Sequence, residues 1–589
     1  MKRSLYLLPL LTLLCGCSDW LSITPRDIVT EENFWNEKAD IDQCVAGVYV
    51  AMQSDEFISR CIMWGEGRSD NLYPSGSLAE GDFYEVMREN LLSTNAFTDW
   101  DKFYYVINQC SVIIDMAPVV SQRDPSYRQS EVLATQAEMT ALRSLCYFYL
   151  IRTFNEVPFS RRGVQSEDAV EYLPASSFDY VLGEIIADLE AVRDDAMTHY
   201  APVGDDGPER TYWSNCNRIT RTAIDAMLAD MYLWAGDYDR CIAHAESVLV
   251  DRQADYDELY ASRLGTSGNG PQEVQGLFGR TMPLYMATAA SPSAVDAAVF
   301  GRGNSFESIF ELSFNHKSGS AYVGSTALAR IYGSGSTEYN NKGVGMLVSN
   351  PSVVSDLSTG LFKYFDHQHD VRFYNLLEAV DNNYGQGYVR KGVAATYNLA
   401  SSYADSRIAY DNAHAGAFGL SAETDRNWIF YRLTDVMLME AEAYAMKAHD
   451  AMRTGADASV YTPWLQEAFE LVYLVNRRSV VYASSCLRTS HAALSSPSAA
   501  LELIRAERER ELMYEGKRWY DLLRQARRDG TTEIVRVWVT GKMNTTTTAS
   551  FPSMDALYWP YNKRELKVNP YLKQKGIYAS EAIDEFEMN

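Results

Sequence analysis

Apolar residues return at three- and four-residue steps through long parts of this chain. In 131–154, "EVLATQAEMTALRSLCYFYLIRTF", the recurring positions are Ala134, Ala137, Ala141, Leu145, Phe148 and Ile151 or Arg152. That period predicts one face of an α-helix, and Pro158 stops the segment soon afterwards. Residues 219–250 predict a helical hairpin. "ITRTAIDAMLADMYLWAG" reads as a helix, Gly236-Asp237-Tyr238 as a turn, and "DRCIAHAESVLV" as a second helix. Ala226, Ala229, Ala243 and Ala245 let the two helices approach closely, as in a tetratricopeptide unit. Residues 428–448, "WIFYRLTDVMLMEAEAYAMKA", and 463–478, "PWLQEAFELVYLVNRR", predict another pair. In 508–524, "RERELMYEGKRWYDLLR", Leu512, Trp519 and Leu523 share a helix face with Ile504 just ahead. Gly516 falls on that face at a cost of about 1 kcal/mol against Ala, which points to close backbone approach. Arg508 with Glu511, and Arg518 with Asp521, are spaced to pair along the same helix.

From about Ser262 to Asn427 the pattern changes. Gly, Ser, Asn and aromatics dominate, and "GTSGNGPQ" and "YGSGSTEYNNKG" are loop chemistry. Residues 308–314, "SIFELSF", and 388–397, "YVRKGVAATY", read as short strands. The fold expected is mostly α, with tetratricopeptide-like hairpins packed against an irregular, loop-rich half with a few short strands. Its parts are a leader (1–16), an N-terminal segment (17–37), a helical-repeat part (38–261), the irregular part (262–426) and a last hairpin with the C-terminal region (427–589).

The leader carries its own pattern. Lys2 and Arg3 precede an apolar run, Leu5 to Leu14, interrupted by Pro9. The run is too short to span a bilayer and has the size of a signal-peptide core. It ends in Leu14-Cys15-Gly16-Cys17, which resembles the bacterial lipobox. That resemblance makes Cys17 the lipidated first residue of the mature chain. Several acyl chains anchor firmly, at about 0.8 kcal/mol per buried CH₂. No later stretch reads as long and apolar enough to span a membrane as a helix.

Composition narrows the function. The chain has 589 residues, a hydrophobic fraction of 47% and a charged fraction of 22%, as in a globular protein. The net charge of -25 argues against nucleic acid, whose phosphates it would repel. Beyond the leader, Cys44, Cys61, Cys110, Cys146, Cys216, Cys241 and Cys486 are odd in number and contain no C-x-x-C, so they read as core thiols.

The stretch Arg508-x-x-Glu511-Leu512-x-x-Glu515-Gly516-x-Arg518-Trp519-x-Asp521-Leu522 resembles the signature of the SusD/RagB family of outer-membrane nutrient-uptake lipoproteins. The resemblance runs along nearly the whole chain. It includes Trp20-Leu21, Pro25, "TEENFW" (30–35), Ala46-Gly47-x-Tyr49, Ser69-Asp70-Asn71, "ALRSLCYFYLIRTFNEVPF", "ESIFELSF", Asp370-x-Arg372 and "YRLTDVMLMEAEAY". It closes on Trp559-Pro560, Glu565-Leu566, Asn569-Pro570 and Gln574. Asn562 replaces the second proline of the usual P-I-P, and "QKGIY" replaces the usual final turn. The resemblance implies four tetratricopeptide-like hairpins, no catalysis, and a lid over a SusC-like TonB-dependent barrel that captures glycans or, in some members, peptides. It implies an outer-membrane, surface-exposed, lipid-anchored protein without a cofactor, its tetratricopeptide half facing the barrel.

No nucleophile elbow, H-E-x-x-H or P-loop occurs. "DHQHD" (366–370) is the one tempting metal cluster. His367 and His369 share a face only on a strand, and Asp370 belongs to Asp-x-Arg, so no metal site is assigned. Tyr and Trp offer flat faces with a polar edge, suited to stacking on sugar rings. Trp100, Tyr104 and Tyr105 lie in a helix-like stretch and are expected in the core. Tyr73, Phe83 and Tyr84, after Asn71, and Phe278, Tyr285, Phe300, Tyr322 and Tyr332, in the irregular half, are the candidate ligand residues. The competing functions are a glycan-capturing lipoprotein, the same fold with peptide cargo, a protein-binding tetratricopeptide adaptor and a surface glycosidase.

Overall fold

The computed structural model describes residues 34–75, 78, 80–200, 215–258, 270–288, 294–301, 303–314, 326–333, 345–350, 370–372, 377–381, 386–389, 391, 427–480, 494–539 and 551–579. The leader, Cys17, Tyr322, His367 and His369 lie outside them.

Helices dominate. α1 (Lys38–Met52) and α2 (Asp55–Ile62) lead to a long hairpin, α3 (Asp101–Arg123) and α4 (Gln129–Phe154). α5 (Phe178–Val192) packs on α4 and on α6 (Arg221–Ala235), which forms a second hairpin with α7 (Tyr238–Tyr256). α8 (Leu433–Arg453) and α9 (Ala458–Ser479) form a third, with α8 packed on α7. α10 (Pro497–Leu512) packs on both α8 and α9, and α11 (Arg518–Asp529) follows it. Local chemistry sets the ends. Ser177, Thr220 and Ser496 cap α5, α6 and α10 through side-chain oxygens that accept backbone N–H groups. Gly236, at φ 75°, ends α6 in the left-handed conformation that glycine adopts freely.

Strands occur as antiparallel pairs. β1 (Leu72–Pro74) pairs with β5 (Leu347–Ser349), and β2 (Gln272–Gln275) with β3 (Thr281–Leu284). β4 (Ser308–Leu312) pairs with β8 (Trp428–Arg432), and β6 (Leu377–Asp381) with β7 (Gln386–Val389). One hydrophobic cluster reaches from Trp35 to Leu572 and joins helical and irregular parts. The described cysteines are free thiols, buried except the half-buried Cys44.

Four expectations need correction. Residues 428–432 are strand, and the helix begins at Leu433, because β8 is buried on both sides beside the equally buried β4. The 508–524 stretch is two helices separated by a turn at 513–517. Tyr105 is exposed, while Trp100 is buried and Tyr104 partly so. Ala96–Arg123 is long and apolar enough, by length and composition, to cross a membrane. Half of its apolar window is buried in the protein, where α3 packs on α1 and α4.

Candidate functional site

Arg508 does not pair with Glu511, nor Arg518 with Asp521; their partners lie on other segments. Arg508 reaches Asp435 on α8 (3.0 Å) and Asp521 on α11 (2.9 Å). Glu511 accepts from Arg372 (2.8 Å), from Arg432 (2.6 Å) and from Arg478. Glu515 pairs with Arg432 (2.7 Å) and Lys391; Glu307 with Arg478 (2.9 Å); Glu507 with Arg372 (2.8 Å) and Arg510 (2.6 Å); Asp370 with Arg372 (2.6 Å). Five cations and five carboxylates therefore neutralise one another inside the molecule. Burial alone would raise the Glu511 carboxyl, yet Arg478, Arg432 and Arg372 hold it well below the usual carboxylate range.

A second buried cluster supports β1. Arg518 donates to both oxygens of Asp70 (2.8 and 3.1 Å) and lies 2.5 Å from Glu509 without hydrogen-bond alignment. Glu66 accepts from the Asn71 amide (2.7 Å) and the Tyr514 backbone (3.2 Å). Asn350 donates to the carbonyls of Asp70 and Asn71, each at 2.7 Å. Ser69-Asp70-Asn71 is thus clamped from below, which fixes the register that sets Tyr73 opposite Val348. Burial pushes Glu66 up to about 7, and burial with its acidic neighbours raises Glu509 as well.

Above this clamp the structure gathers four candidates. Tyr73 on β1 and Tyr84 on the short helix Asp82–Met87 are half-buried, with the Arg88 guanidinium 5.4 Å from the Tyr84 ring. Phe83 and Tyr332 lie in the core. Phe83 packs edge-on against Phe97 at 4.8 Å, and Tyr332 stands 6.1 Å from Tyr514. Phe300 is half-buried beside Lys391 (5.0 Å) and borders a void of only about 20 Å³, too small for a sugar. Tyr285 donates its backbone N–H to Glu307. Phe278 sits elsewhere, about half exposed after β2 and against Phe469. Of the four above the clamp, only Tyr73 and Tyr84 keep part of their surface accessible. Among the described residues, no group of three or more His, Cys, Asp or Glu is arranged to hold a metal.

This arrangement of helical hairpins, clamped strand and signature network can be set beside known proteins. The SusD family model matches residues 306–578. SusD-like protein P38 of Formosa agariphila is 23% identical over 579 residues, 96% of this chain and 97% of that protein. SusD-like protein P2 of the same organism is 23% identical over 89% of this chain and 90% of its own. The C-terminal part of the chain thus matches the SusD family model, and its full-length relatives are SusD-like proteins. Solved SusD folds superpose along its length. A Bacteroides vulgatus SusD superfamily protein gives a TM-score of 0.61 at 16% identity, covering 92% of this chain and 99% of that one. A laminarin-binding SusD-like protein gives 0.58 at 18% identity, with the same coverage.

Sequence reading missed the partners of the signature, because they lie on distant segments. It also missed a groove beside Tyr104, whose lining comes from four separated stretches.

Proposed function

We propose that this SusD-like chain is a surface lipoprotein, anchored through Cys17, that captures oligosaccharides and hands them to a TonB-dependent barrel, over which it acts as a lid. The observation that carries the capture role is the match to the SusD family model, with a laminarin-binding relative of the same fold. The half-open Tyr73 and Tyr84 rings, on a backbone clamped from below, supply the stacking surface. Open stacking with few hydrogen bonds implies modest affinity, between about micromolar and millimolar, or about -8 to -4 kcal/mol. Longer chains bind better than disaccharides, since each ring adds contact area.

Calorimetry of the full chain against glycan and peptide panels tests this, with product analysis after overnight incubation. The expected result is reversible glycan binding, intact glycan, and a loss of about tenfold or more on replacing both Tyr73 and Tyr84 with Ala. Glycan binding untouched by that change moves the site elsewhere. Peptide binding without glycan binding overturns the cargo, and cleaved product overturns the non-catalytic reading.

A further inference from the structure

Beside α3 and α4 a groove of about 320 Å³ opens between these helices, the 158–173 segment and residues 565–572. Its walls are aromatic: Trp100, Tyr104, Tyr147 and Tyr172. Trp100 and Tyr104 meet edge to face at 5.4 Å. The rim carries exposed apolar side chains, Val170 at 48%, Tyr172 at 47% and Val568 at 57%, more than an ordinary polar surface leaves together.

The groove's hydrogen-bonding groups are already engaged. The Tyr104 and Tyr147 hydroxyls donate to the carbonyls of Pro158 (2.7 Å) and Ser160 (2.8 Å). The Asn108 and Asn569 amides donate to the carbonyls of Val164 and Leu173, each at 2.8 Å. Arg162 and Glu171 pair with each other at 2.6 Å. A sugar, which needs several donors and acceptors, would find few here.

Glu565 is different. It is half-buried in this groove beside Trp100, and among the described residues no cation offsets it. Burial raises its carboxyl, and Asp99 and Asp101 raise it further. Those two share Arg60, at 4.0 and 3.9 Å. An aromatic channel with an uncompensated carboxylate attracts a cation on an apolar stem, through the ring faces and through charge.

We propose that this groove docks a lysine side chain presented by a peptide segment of another protein, with the stem along Tyr104 and Tyr172 and the ammonium at Glu565. The chain's net charge of -25 favours such a partner over an acidic one. The groove's lining shares no residue with the Tyr73 and Tyr84 pair, and the proposal does not depend on the reading of that pair.

The test is fluorescence anisotropy of the full chain with an end-capped, labelled hexapeptide of Gly, Ser and Leu around one lysine, and with its acetyl-lysine twin. The lysine peptide should bind saturably. The acetyl-lysine peptide, and Glu565→Gln with the lysine peptide, should each bind about tenfold more weakly, as loss of a charged hydrogen bond implies. Tyr172→Ala should also weaken binding, whereas Tyr73→Ala with Tyr84→Ala should leave it unchanged. Glu565→Gln is nearly isosteric, and its melting temperature, measured alongside, should match or exceed that of the parent. Equal binding of the two peptides, no effect of Glu565→Gln in a folded protein, or no saturable binding of the lysine peptide would overturn the proposal. Displacement of the lysine peptide by N-acetylglucosamine would make the groove a sugar site and overturn it as well.

Discussion

The indole of Trp519 is fully buried, and the Arg68 guanidinium stacks 4.1 Å from its ring. Arg68 is itself held by Glu89 (2.8 Å) and by the carbonyls of Ala556 and Leu557. Trp519→Ala should therefore cost about 3–5 kcal/mol in urea unfolding, from the cavity and the lost stacking. Glycan affinity of the folded remainder should stay unchanged. A stable variant that no longer binds would place this residue in the ligand site instead. The carboxyls beside Arg518 behave differently. Glu66 titrates near 7 in the folded state, and Glu509 is raised too. Between the ordinary carboxylate pKa and these raised values the folded protein holds more protons than the unfolded chain, so this cluster loses stability as pH rises through that window. Glu509→Gln removes one of the titrating groups. Its stability relative to the parent should improve from pH 5 to pH 8, and an identical difference at both pH values would contradict the assignment.

At the level of elements, the turn between α10 and α11 decides the architecture of the C-terminal region. Gly516 sits at φ 70°, where L residues are strained. It lies against a second glycine: a Cβ on Gly65 would stand 1.9 Å from the Gly516 carbonyl oxygen. The close approach anticipated for Gly516 is real, but it occurs at a turn and not on a helix face. Gly65→Ala must displace backbone and should cost about 3 kcal/mol or more. Gly47→Ala is the contrast, because nothing lies within 4 Å of a Cβ added there on the exposed side of α1. It should gain up to about 1 kcal/mol. Denaturant midpoints of the two variants check both signs.

Across the whole molecule, the balanced network around Glu511 ties α10 to α9 through Arg478, to β8 through Arg432 and to the 370–372 segment through Arg372. Such a network is costly to desolvate and costlier to break. Glu511→Gln leaves three buried arginines without their shared carboxylate and should cost about 3–5 kcal/mol, read by chemical denaturation. Replacement of the whole network by apolar residues is the different experiment in which little or no loss is expected. A loss below about 1 kcal/mol for Glu511→Gln would show that the arginines find other acceptors.

Most helix positions and the burial of Cys61, Cys110, Cys146, Cys216 and Cys241 were legible in the chain, because each rests on spacing within a few residues. A buried apolar run such as 428–432 reads alike as strand or helix, and only its pairing with 308–312 decided between them. Charge partners were decided in the same way. Arg508 and Glu511 are spaced to meet, but in a low-dielectric interior each is held by several opposite charges, and those arrive from other segments. Asp70 and Arg518 lie 448 residues apart, and no local period relates them. Tyr73 and Tyr84 are half-buried while Phe83 and Tyr332 are covered, since what packs over a ring is set by the neighbouring element and not by the ring's own residue type. The amino-acid sequence by itself determined most of the helices and the likeness to the SusD family. Tertiary packing decided which charges neutralise each other, which aromatic rings stay partly accessible, and where, among the described residues, Glu565 is left without a counter-charge.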